Sequence, residues 1–374
     1  MIQVPLLDLS YQWRSEKDHL LASVERVLER GQYILGPEVR ALEQEIAAYC
    51  GVGHAVAVGN GTDALILLLK AFDIGPGDEV ITTPFTFFAT AEAIVQVGAT
   101  PVFADVDPAT YLLTAAAVEK RITARTKAIL VVHLFGQMAD MTELGRLAEA
   151  HRIHLLEDAC QSIGAAWDGH GVGSQSDGAA LSFFPTKNLG AYGDGGMVLM
   201  RDEDRALRLR RLRVHGSVAK YVHQEIGWNS RLDELQAAML RVKLQRLDAW
   251  TNERIAIAQC YHAAFADLPV HLPRPAAMAR HVYHLYTVTV PQRDQVQRAL
   301  AEDGIQTGVY YPIPLHLQEA LRSLGHQPGD FPVSEQLAQQ ALSLPLYPGM
   351  EGWRQDAVIR AFRKAVLTLP KVQG

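Results

Sequence analysis

Short apolar runs rich in β-branched residues alternate with helix-like stretches through the first two-thirds of the chain. This alternation predicts an α/β fold with a mostly parallel sheet flanked by helices, because strands buried on both faces are apolar almost throughout. The predicted strands are His54–Val58, Glu79–Thr82, Thr100–Ala104, Ala128–His133, Ile153–Glu157, Ala179–Phe184 and Gly196–Met200. The predicted helices are Gly61–Phe72, Ala89–Gln96, Ala115–Arg121 and Met141–His151.

The pattern changes after Asp233. One long helix is predicted over Leu235–Ala266, connecting to a smaller C-terminal α+β domain that begins near Pro269. This domain is predicted to contain a strand at Tyr283–Val290, a helix at Gln292–Asp303 and a final helix. Because 374 residues exceed one minimal domain, we predict a large domain over residues 1–250 and a small one over 251–374.

Charge and composition exclude several kinds of partner. The net charge of −6 provides no positive field for nucleic acid. The longest apolar runs are too short to cross a bilayer, and Met1–Pro5 lacks the pattern of a secretory signal. Cys50, Cys160 and Cys260 lie far apart and form no metal-ligand cluster, so reduced thiols are expected. We expect a soluble cytoplasmic protein that uses no metal and contacts neither nucleic acid nor membrane.

The first candidate site segment, Gly59–Asp63, links a predicted strand to an apolar helix. The start of a helix offers unpaired N–H groups and a positive dipole end, and both bind phosphate. A simple N-cap by Thr62 or Asp63 is the alternative, and this segment alone favours the cap.

The second and third segments supply a carboxylate and an amine. Asp158 stands at the end of an apolar strand, where ligands of open parallel sheets bind, with Gln161 three residues on. Its alternative role is to cap the next helix. Lys187 lies among proline, glycine and aromatic residues between two predicted strands, with Ser182 five positions upstream. A lysine in such a setting is typical of a Schiff base, although most loop lysines are solvated. A phosphate cup, an aspartate and a lysine together are what pyridoxal phosphate requires.

These segments resemble a known protein family. The motifs GNGTDAL, PFTFFATAEA, HLFGQ, LEDACQSIGA, SFFPTKNLGAYGDGG, NSRLDELQAA and YYPIPLHL are similar to those of the DegT–StrS nucleotide-sugar aminotransferases. The resemblance runs in the same order from near Pro5 to about Met350. It implies pyridoxal-phosphate fold type I, similar to aspartate aminotransferase, with the cofactor in the large domain.

The resemblance implies roles at the cofactor ring. Lys187 would hold the cofactor as a Schiff base and move the substrate proton. Asp158 would pair with the ring nitrogen, and Gln161 would hydrogen-bond the phenolic oxygen. Phe87 would stack on the ring, with ordinary core packing as its alternative.

The resemblance also implies roles at the phosphate. Gly61, Thr62, Asp63 and Ser182 would surround it within one subunit. Asn229 would reach it from the other subunit of a homodimer with shared active sites.

The implied substrate contacts lie later in the chain. Arg231 would bind the donor carboxylate, with a salt bridge to a neighbouring acidic residue as the alternative. Tyr310, Tyr311 and His316 would approach the sugar, or simply pack in a proline-rich loop. Phe184 departs from relatives that have a tyrosine there.

The implied reaction has two halves. L-glutamate would give up its amino group, leaving 2-oxoglutarate and pyridoxamine phosphate, and a keto sugar on a nucleoside diphosphate would receive it. The motif forms favour C3 of a 3-keto hexose, either a dTDP-linked 6-deoxy sugar or a UDP-linked sugar, for a surface glycan such as lipopolysaccharide or for a natural product. Alternatives are another sugar carbon, a non-sugar cyclic ketone, a sugar dehydratase (disfavoured because its relatives have histidine at Lys187) and a non-enzymatic regulator.

Overall fold

The computed structural model of this chain describes residues 4–369. The prediction that no secretory signal is present concerns Met1–Pro5, of which residues 1–3 lie outside the described residues. The helices are α1 (Ser10–Arg30), α2 (Pro37–Cys50), α3 (Gly61–Ala71), α4 (Ala89–Gln96), α5 (Ala115–Glu119), α6 (Met141–His151), α7 (Glu203–Leu212), α8 (Glu234–Leu244), α9 (Leu247–Phe265), α10 (Arg293–Glu302), α11 (Pro332–Gln340) and α12 (Gly352–Leu367).

The strands of the first half are β1 (His54–Val58), β2 (Glu79–Thr82), β3 (Thr100–Phe103), β4 (Thr126–Val132), β5 (His154–Asp158), β6 (Ala166–Trp167), β7 (His170–Gly171) and β8 (Gly178–Ser182). The later strands are β9 (Gly196–Met200), β10 (Ser217–Ala219), β11 (Val222–His223), β12 (Ala279–Arg280), β13 (Tyr286–Thr289) and β14 (Ala341–Leu344). The predicted strands and helices of the first two-thirds all exist, with ends shifted by two residues at most.

Seven strands form the central sheet in the order β1-β9-β8-β5-β4-β2-β3. Strands β3, β2, β4, β5 and β8 run parallel to one another, whereas β9 runs antiparallel to both β1 and β8. The prediction of a mostly parallel sheet is therefore confirmed.

Helices cover both faces of this sheet. Along β4, Ala128 and Leu130 pack into a cluster with residues of α3, α4 and α7. Ile129 and Val131 point the other way and pack with residues of α2, α6 and α8. Side chains of successive strand residues point to opposite faces, so a strand covered on both sides must be apolar at every position.

The prediction of one helix over Leu235–Ala266 is wrong, because α8 ends at Leu244 and α9 begins at Leu247. The N–H of Arg246 bonds to the carbonyl of Lys243, three residues back, which interrupts the α-helical ladder. The two helices also serve different cores. Leu247 packs in the core of the large sheet, whereas Tyr261 packs in a separate C-terminal cluster.

The C-terminal cluster surrounds the antiparallel pair β13–β14 and helices α9, α10 and α12. The predicted strand Tyr283–Val290 is shorter, as β13, and its partner β14 was not predicted. Val4 also packs in this cluster and pairs with Ile305. The domain division at residue 250 stays a prediction. Between residues 4 and 369, none of the helices is long and apolar enough to span a membrane.

Candidate active site

A cavity of about 720 Å³ opens beyond the carboxyl ends of the parallel strands of the central sheet. Val132 ends β4, Asp158 ends β5 and Ser182 ends β8, and all three line the cavity. In an open α/β sheet, ligands usually bind beyond the carboxyl ends of the parallel strands. Ten predicted site residues line this cavity, namely Gly61, Thr62, Asp63, Phe87, Asp158, Gln161, Ser182, Lys187, Tyr310 and Tyr311.

The N-terminus of α3 forms one wall of the cavity. Asn60 caps this helix, since its side-chain oxygen accepts a hydrogen bond from the Asp63 N–H at 2.8 Å. The cap is therefore Asn60, and neither Thr62 nor Asp63 is needed for it. The N–H groups of Gly61 and Thr62 stand in the first turn, where a helix supplies no partner, so they are available to an anion.

Close packing brings Ser182 to this helix end. A Cβ atom on Gly61 would lie 2.8 Å from Ser182 Cβ and 3.0 Å from Ser182 Oγ. The Ser182 hydroxyl accepts a hydrogen bond from the Phe184 N–H at 3.2 Å, which leaves its own proton free to donate. The Asp63 carboxylate is instead occupied by Ser230, whose hydroxyl donates to it at 2.6 Å.

Asp158 is held as an oriented carboxylate. Its Oδ2 accepts a hydrogen bond from the Thr90 hydroxyl at 2.7 Å, and its Oδ1 accepts one from the Cys160 N–H at 3.2 Å. The side chain is buried, and a buried carboxylate needs such donors to remain charged.

Lys187 follows β8 in a tight loop. Its backbone N–H bonds to the carbonyl of Phe184 at 2.8 Å, and a Cβ on Gly190 would lie 2.3 Å from the Pro185 carbonyl oxygen. Burial lowers the pKa of the Lys187 amine, while the nearby Asp158 carboxylate opposes that shift. A lysine with a lowered pKa supplies the neutral amine that a nucleophile or a base requires.

Gln161 connects two walls of the cavity. Its side-chain oxygen accepts from the Phe135 N–H at 2.8 Å, and its amide donates to the Tyr311 hydroxyl at 3.0 Å. Phe87 lies beside them, 56% exposed, with its ring centroid 6.0 Å from that of Tyr311. Phe85, two residues earlier, is buried in the core, so Phe87 rather than Phe85 is available to a ligand.

Three predicted residues do not line the cavity of this chain. Asn229 is exposed. Arg231 forms no ion pair with Asp233 or Glu234 within residues 4–369, where Glu234 instead accepts hydrogen bonds from the first turn of α2. His316 is buried elsewhere, with Nε2 3.1 Å from Glu335 and its ring against Phe331.

Two contacts near Lys187 and Asp158 were missed from the sequence. Thr90 is fully buried and donates to Asp158 across 68 positions of the chain. His284 lines the cavity, and its Nδ1 lies 3.3 Å from Asn188 Oδ1. Burial, followed by the charges of Lys187 and Arg254, holds the pKa of His284 well below its usual range, so its imidazole is neutral. The only sequence signal for Thr90 is its place in the PFTFFATAEA motif.

These residues fit pyridoxal phosphate. Free N–H groups at the start of α3 suit the phosphate, the Asp158 carboxylate suits a protonated ring nitrogen, and the Lys187 amine suits the aldehyde. The fold and the site define a pyridoxal-phosphate-dependent enzyme of fold type I. More narrowly, the chain belongs to the DegT/DnrJ/EryC1/StrS aminotransferase family, whose model matches residues 14–363.

Curated relatives match over nearly the whole chain. A Geobacillus stearothermophilus protein named pleiotropic regulatory protein is 48% identical over 362 residues, covering 96% of this chain and 97% of the relative. The UDP-N-acetyl-3-dehydro-alpha-D-glucosamine 3-aminotransferase of Acidithiobacillus ferrooxidans is 46% identical, covering 96% and 95%. The dTDP-3-amino-3,4,6-trideoxy-alpha-D-glucose transaminase of Streptomyces venezuelae is 45% identical, covering 97% and 96%.

Solved structures share the fold. The crystal structure of S. venezuelae DesV in complex with a ketimine intermediate superposes with a TM-score of 0.97 at 44% identity, covering 99% of this chain and all of that one. The structure of ntda from Bacillus subtilis with bound cofactor pyridoxamine phosphate gives a TM-score of 0.91 at 31% identity, covering 98% and 86%. The predicted fold type and the predicted cofactor are confirmed.

Proposed function

We propose that this enzyme moves an amino group from L-glutamate to C3 of a keto hexose linked to a nucleoside diphosphate. The observation that carries the proposal is the convergence of Lys187, Asp158, Gln161 and the start of α3 on one cavity. Bound pyridoxal phosphate supplies an aldehyde that condenses with amines and a ring that withdraws electrons from the substrate carbon.

The residues of the chain then have distinct tasks. The N–H groups of Gly61 and Thr62 and the hydroxyl of Ser182 would hold the phosphate. Asp158 would keep the ring nitrogen protonated. The amine of Lys187 would bind the aldehyde and would take a proton from the α-carbon of the donor, a task for which its lowered pKa keeps it neutral.

The sugar portion of the substrate would enter the same cavity, whose lining includes Leu7, Phe184 and Tyr310. Support for C3 comes from two relatives above 40% identity whose names specify a 3-amino or 3-dehydro sugar. One of those names specifies UDP and the other dTDP, so the proposal extends to the nucleoside diphosphate class and to no single base. Phe184 offers no hydroxyl to the sugar.

A second copy of the chain completes the site in this proposal. Tyr221 is 85% exposed and Ile226 is 91% exposed on the segment around β10 and β11, which leads directly to Asn229. Exposed apolar residues clustered this way favour burial against a partner. With that face buried in a homodimer, Asn229 would reach the phosphate and Arg231 the donor carboxylate of the other subunit. A cytoplasmic location belongs to the same proposal.

A regulatory role is the second candidate, because one relative at 48% identity is named a pleiotropic regulatory protein. A regulator that only bound a nucleotide sugar would have no use for Lys187 as a base. The two candidates therefore differ in whether glutamate is consumed.

The test is an absorption spectrum of the protein with pyridoxal phosphate, before and after addition of L-glutamate. A Schiff-base band that converts to the pyridoxamine phosphate band, with 2-oxoglutarate released, supports the proposal. K187A should show no Schiff-base band and no conversion to the pyridoxamine phosphate band. K120A, which removes an exposed lysine, should behave as wild type. Loaded enzyme is then offered 3-keto and 4-keto nucleotide sugars. A Schiff base that glutamate and other amino acids leave unchanged would contradict the aminotransferase role and favour the regulator.

A further inference from the structure

A pair of buried hydroxyl groups adjoins the Asp158 carboxylate. Thr90 lies in the first turn of α4 and Thr86 lies one turn before it, and both side chains are buried. Thr90 Oγ1 is 2.7 Å from Asp158 Oδ2, and Thr86 Oγ1 is 3.2 Å from Thr90 Oγ1. No step of the proposed reaction uses either hydroxyl directly.

The direction of these hydrogen bonds follows from the charge of Asp158. An ionised carboxylate can only accept, so Thr90 donates its proton to Oδ2. The oxygen of Thr90 is then free to accept, and Thr86 donates to it. Both dipoles therefore point at the carboxylate, and consecutive hydrogen bonds polarise each other in a buried site.

Besides Thr90, the Cys160 N–H donates to Oδ1 of this carboxylate at 3.2 Å, and the Cys160 thiol also hydrogen-bonds to Asp158. The Thr90 bond is shorter than the bond from the Cys160 N–H. It fixes Oδ2, which leaves Oδ1 with room for a second donor besides the backbone. Because each carboxylate oxygen has two lone pairs, a protonated ring nitrogen can share Oδ1 with Cys160.

We propose that Thr90 is a positioning residue that holds Asp158 as an oriented anion toward the ring nitrogen of the cofactor, with Thr86 supporting Thr90. This inference rests on the proposed function, since it assigns Asp158 to the ring nitrogen. Thr90 does not touch the cofactor. It acts through Asp158, and its loss weakens the electron withdrawal by the ring.

The test compares T90V with T90S, each loaded with pyridoxal phosphate labelled with 15N in the ring. Valine has nearly the shape of threonine, so T90V removes the hydroxyl and leaves Asp158 Oδ2 without that donor. The 15N resonance reports whether the ring nitrogen is protonated, independently of turnover. T287V is the matched control, because Thr287 is also buried and hydrogen-bonded to a side chain, Ser343, at 2.8 Å, away from the cavity.

We expect T90V to retain the Schiff-base band but to shift its 15N resonance toward that of unprotonated pyridine. The glutamate half-reaction should slow by about 10- to 100-fold, the range for losing a hydrogen bond to a charged group. T90S should restore both readouts, and T287V should leave both unchanged. T86V should shift the resonance in the same direction by less, which provides the measurement if T90V does not fold.

Two outcomes separate the inference from the function on which it rests. If wild type forms the Schiff base and reacts with glutamate, but T90V and T86V keep the wild-type resonance, the inference is overturned alone. If wild type forms no Schiff base, the proposed function is overturned and the inference falls with it.

Discussion

The imidazole of His284 is hydrogen-bonded to Asn188, the residue that directly follows Lys187 in the chain. Asn188 Oδ1 lies 3.3 Å from His284 Nδ1, and the amide nitrogen of Asn188 donates to the Val282 carbonyl at 3.2 Å. Because that second bond fixes the amide orientation, Asn188 accepts from His284, whose Nδ1 therefore carries the proton. The loop that bears Lys187 is thus tied to the segment before β13.

The substitution N188A should weaken both folding and catalysis. It removes a buried amide and leaves the Val282 carbonyl and His284 Nδ1 without their partner, at a cost of about 1–3 kcal/mol. Urea unfolding of the cofactor-free protein measures the stability loss, and the rate of the glutamate half-reaction measures the looser placement of Lys187. The control is N252A, which removes an exposed side chain on α9 and should change the free energy of unfolding by no more than about 0.5 kcal/mol. Equal behaviour of the two variants would show that the tie does not position Lys187.

The reaction of Lys187 with pyridoxal phosphate should depend on pH in a defined direction. Only the neutral amine condenses with an aldehyde, and burial lowers the pKa of Lys187 from the ordinary 10.5. The rate of Schiff-base formation should therefore rise with pH and reach its plateau at a lower pH than a free lysine side chain does. Stopped-flow absorbance over a pH series measures this, with K187A as the blank. If the rate levelled off only at or above the pH at which a free lysine side chain levels off, a lowered pKa of Lys187 would be contradicted.

Lys187 and Asp158 could be predicted from the sequence because their signals are local. Asp158 ends one strand and Lys187 follows another, and each strand is visible as an apolar run of a few consecutive residues. Because these strands are parallel, their carboxyl ends lie at the same end of the sheet. Thr90 and His284 carry no such signal, since their contacts cross 68 and 96 positions and exist only once the sheet has its strand order.

Two other differences between the sequence-based predictions and the structure also arise from the tertiary fold. No proline or glycine stands at the break between α8 and α9, because the break arises where the chain passes from one core to another. His316 follows Tyr311 closely in sequence, yet the short turn at Leu315–Leu317 directs it toward Phe331 and Glu335 instead of the cavity. Neither the helix break nor the placement of His316 can be inferred from a motif alone.

A second buried lysine should make stability depend on pH. Burial lowers the pKa of Lys243 from 10.5 to about 8, and its amine donates to the Gly190 carbonyl. Between these two pH values the unfolded chain binds a proton that the folded chain has released, so the free energy of unfolding rises with pH. Relative to K243M, wild type should gain on the order of 2–3 kcal/mol across that window. Urea unfolding between pH 7 and 10 checks this, with the exposed K120M as the control for losing one lysine. A difference between wild type and K243M that stays flat with pH would refute the shift.

The last prediction concerns the contact between Gly61 and Ser182. A methyl group at residue 61 would lie 2.8 Å from Ser182 Cβ, at the end of β8, and 3.3 Å from Cys160 Sγ, two residues after β5. G61A should therefore separate the α3 N-terminus from the Ser182 hydroxyl, and the phosphate would lose one of its two sets of donors. We expect the Kd for pyridoxal phosphate to rise about 10- to 100-fold, in line with the loss of one hydrogen bond to a charged group.

Gly145 provides a matched control, because it lies within α6 and a Cβ added there would meet nothing within 4 Å. G145A should leave cofactor affinity unchanged and stabilise the protein by up to about 1 kcal/mol, since alanine loses less backbone freedom than glycine in a helix. Equilibrium titration followed by cofactor fluorescence measures Kd for both variants, and thermal unfolding measures stability. Wild-type affinity in a folded G61A would mean that Ser182 and the α3 N-terminus do not bind the phosphate together. That result would move the phosphate site away from α3 while leaving the assignment of Lys187 intact, because the amine lies in a different loop.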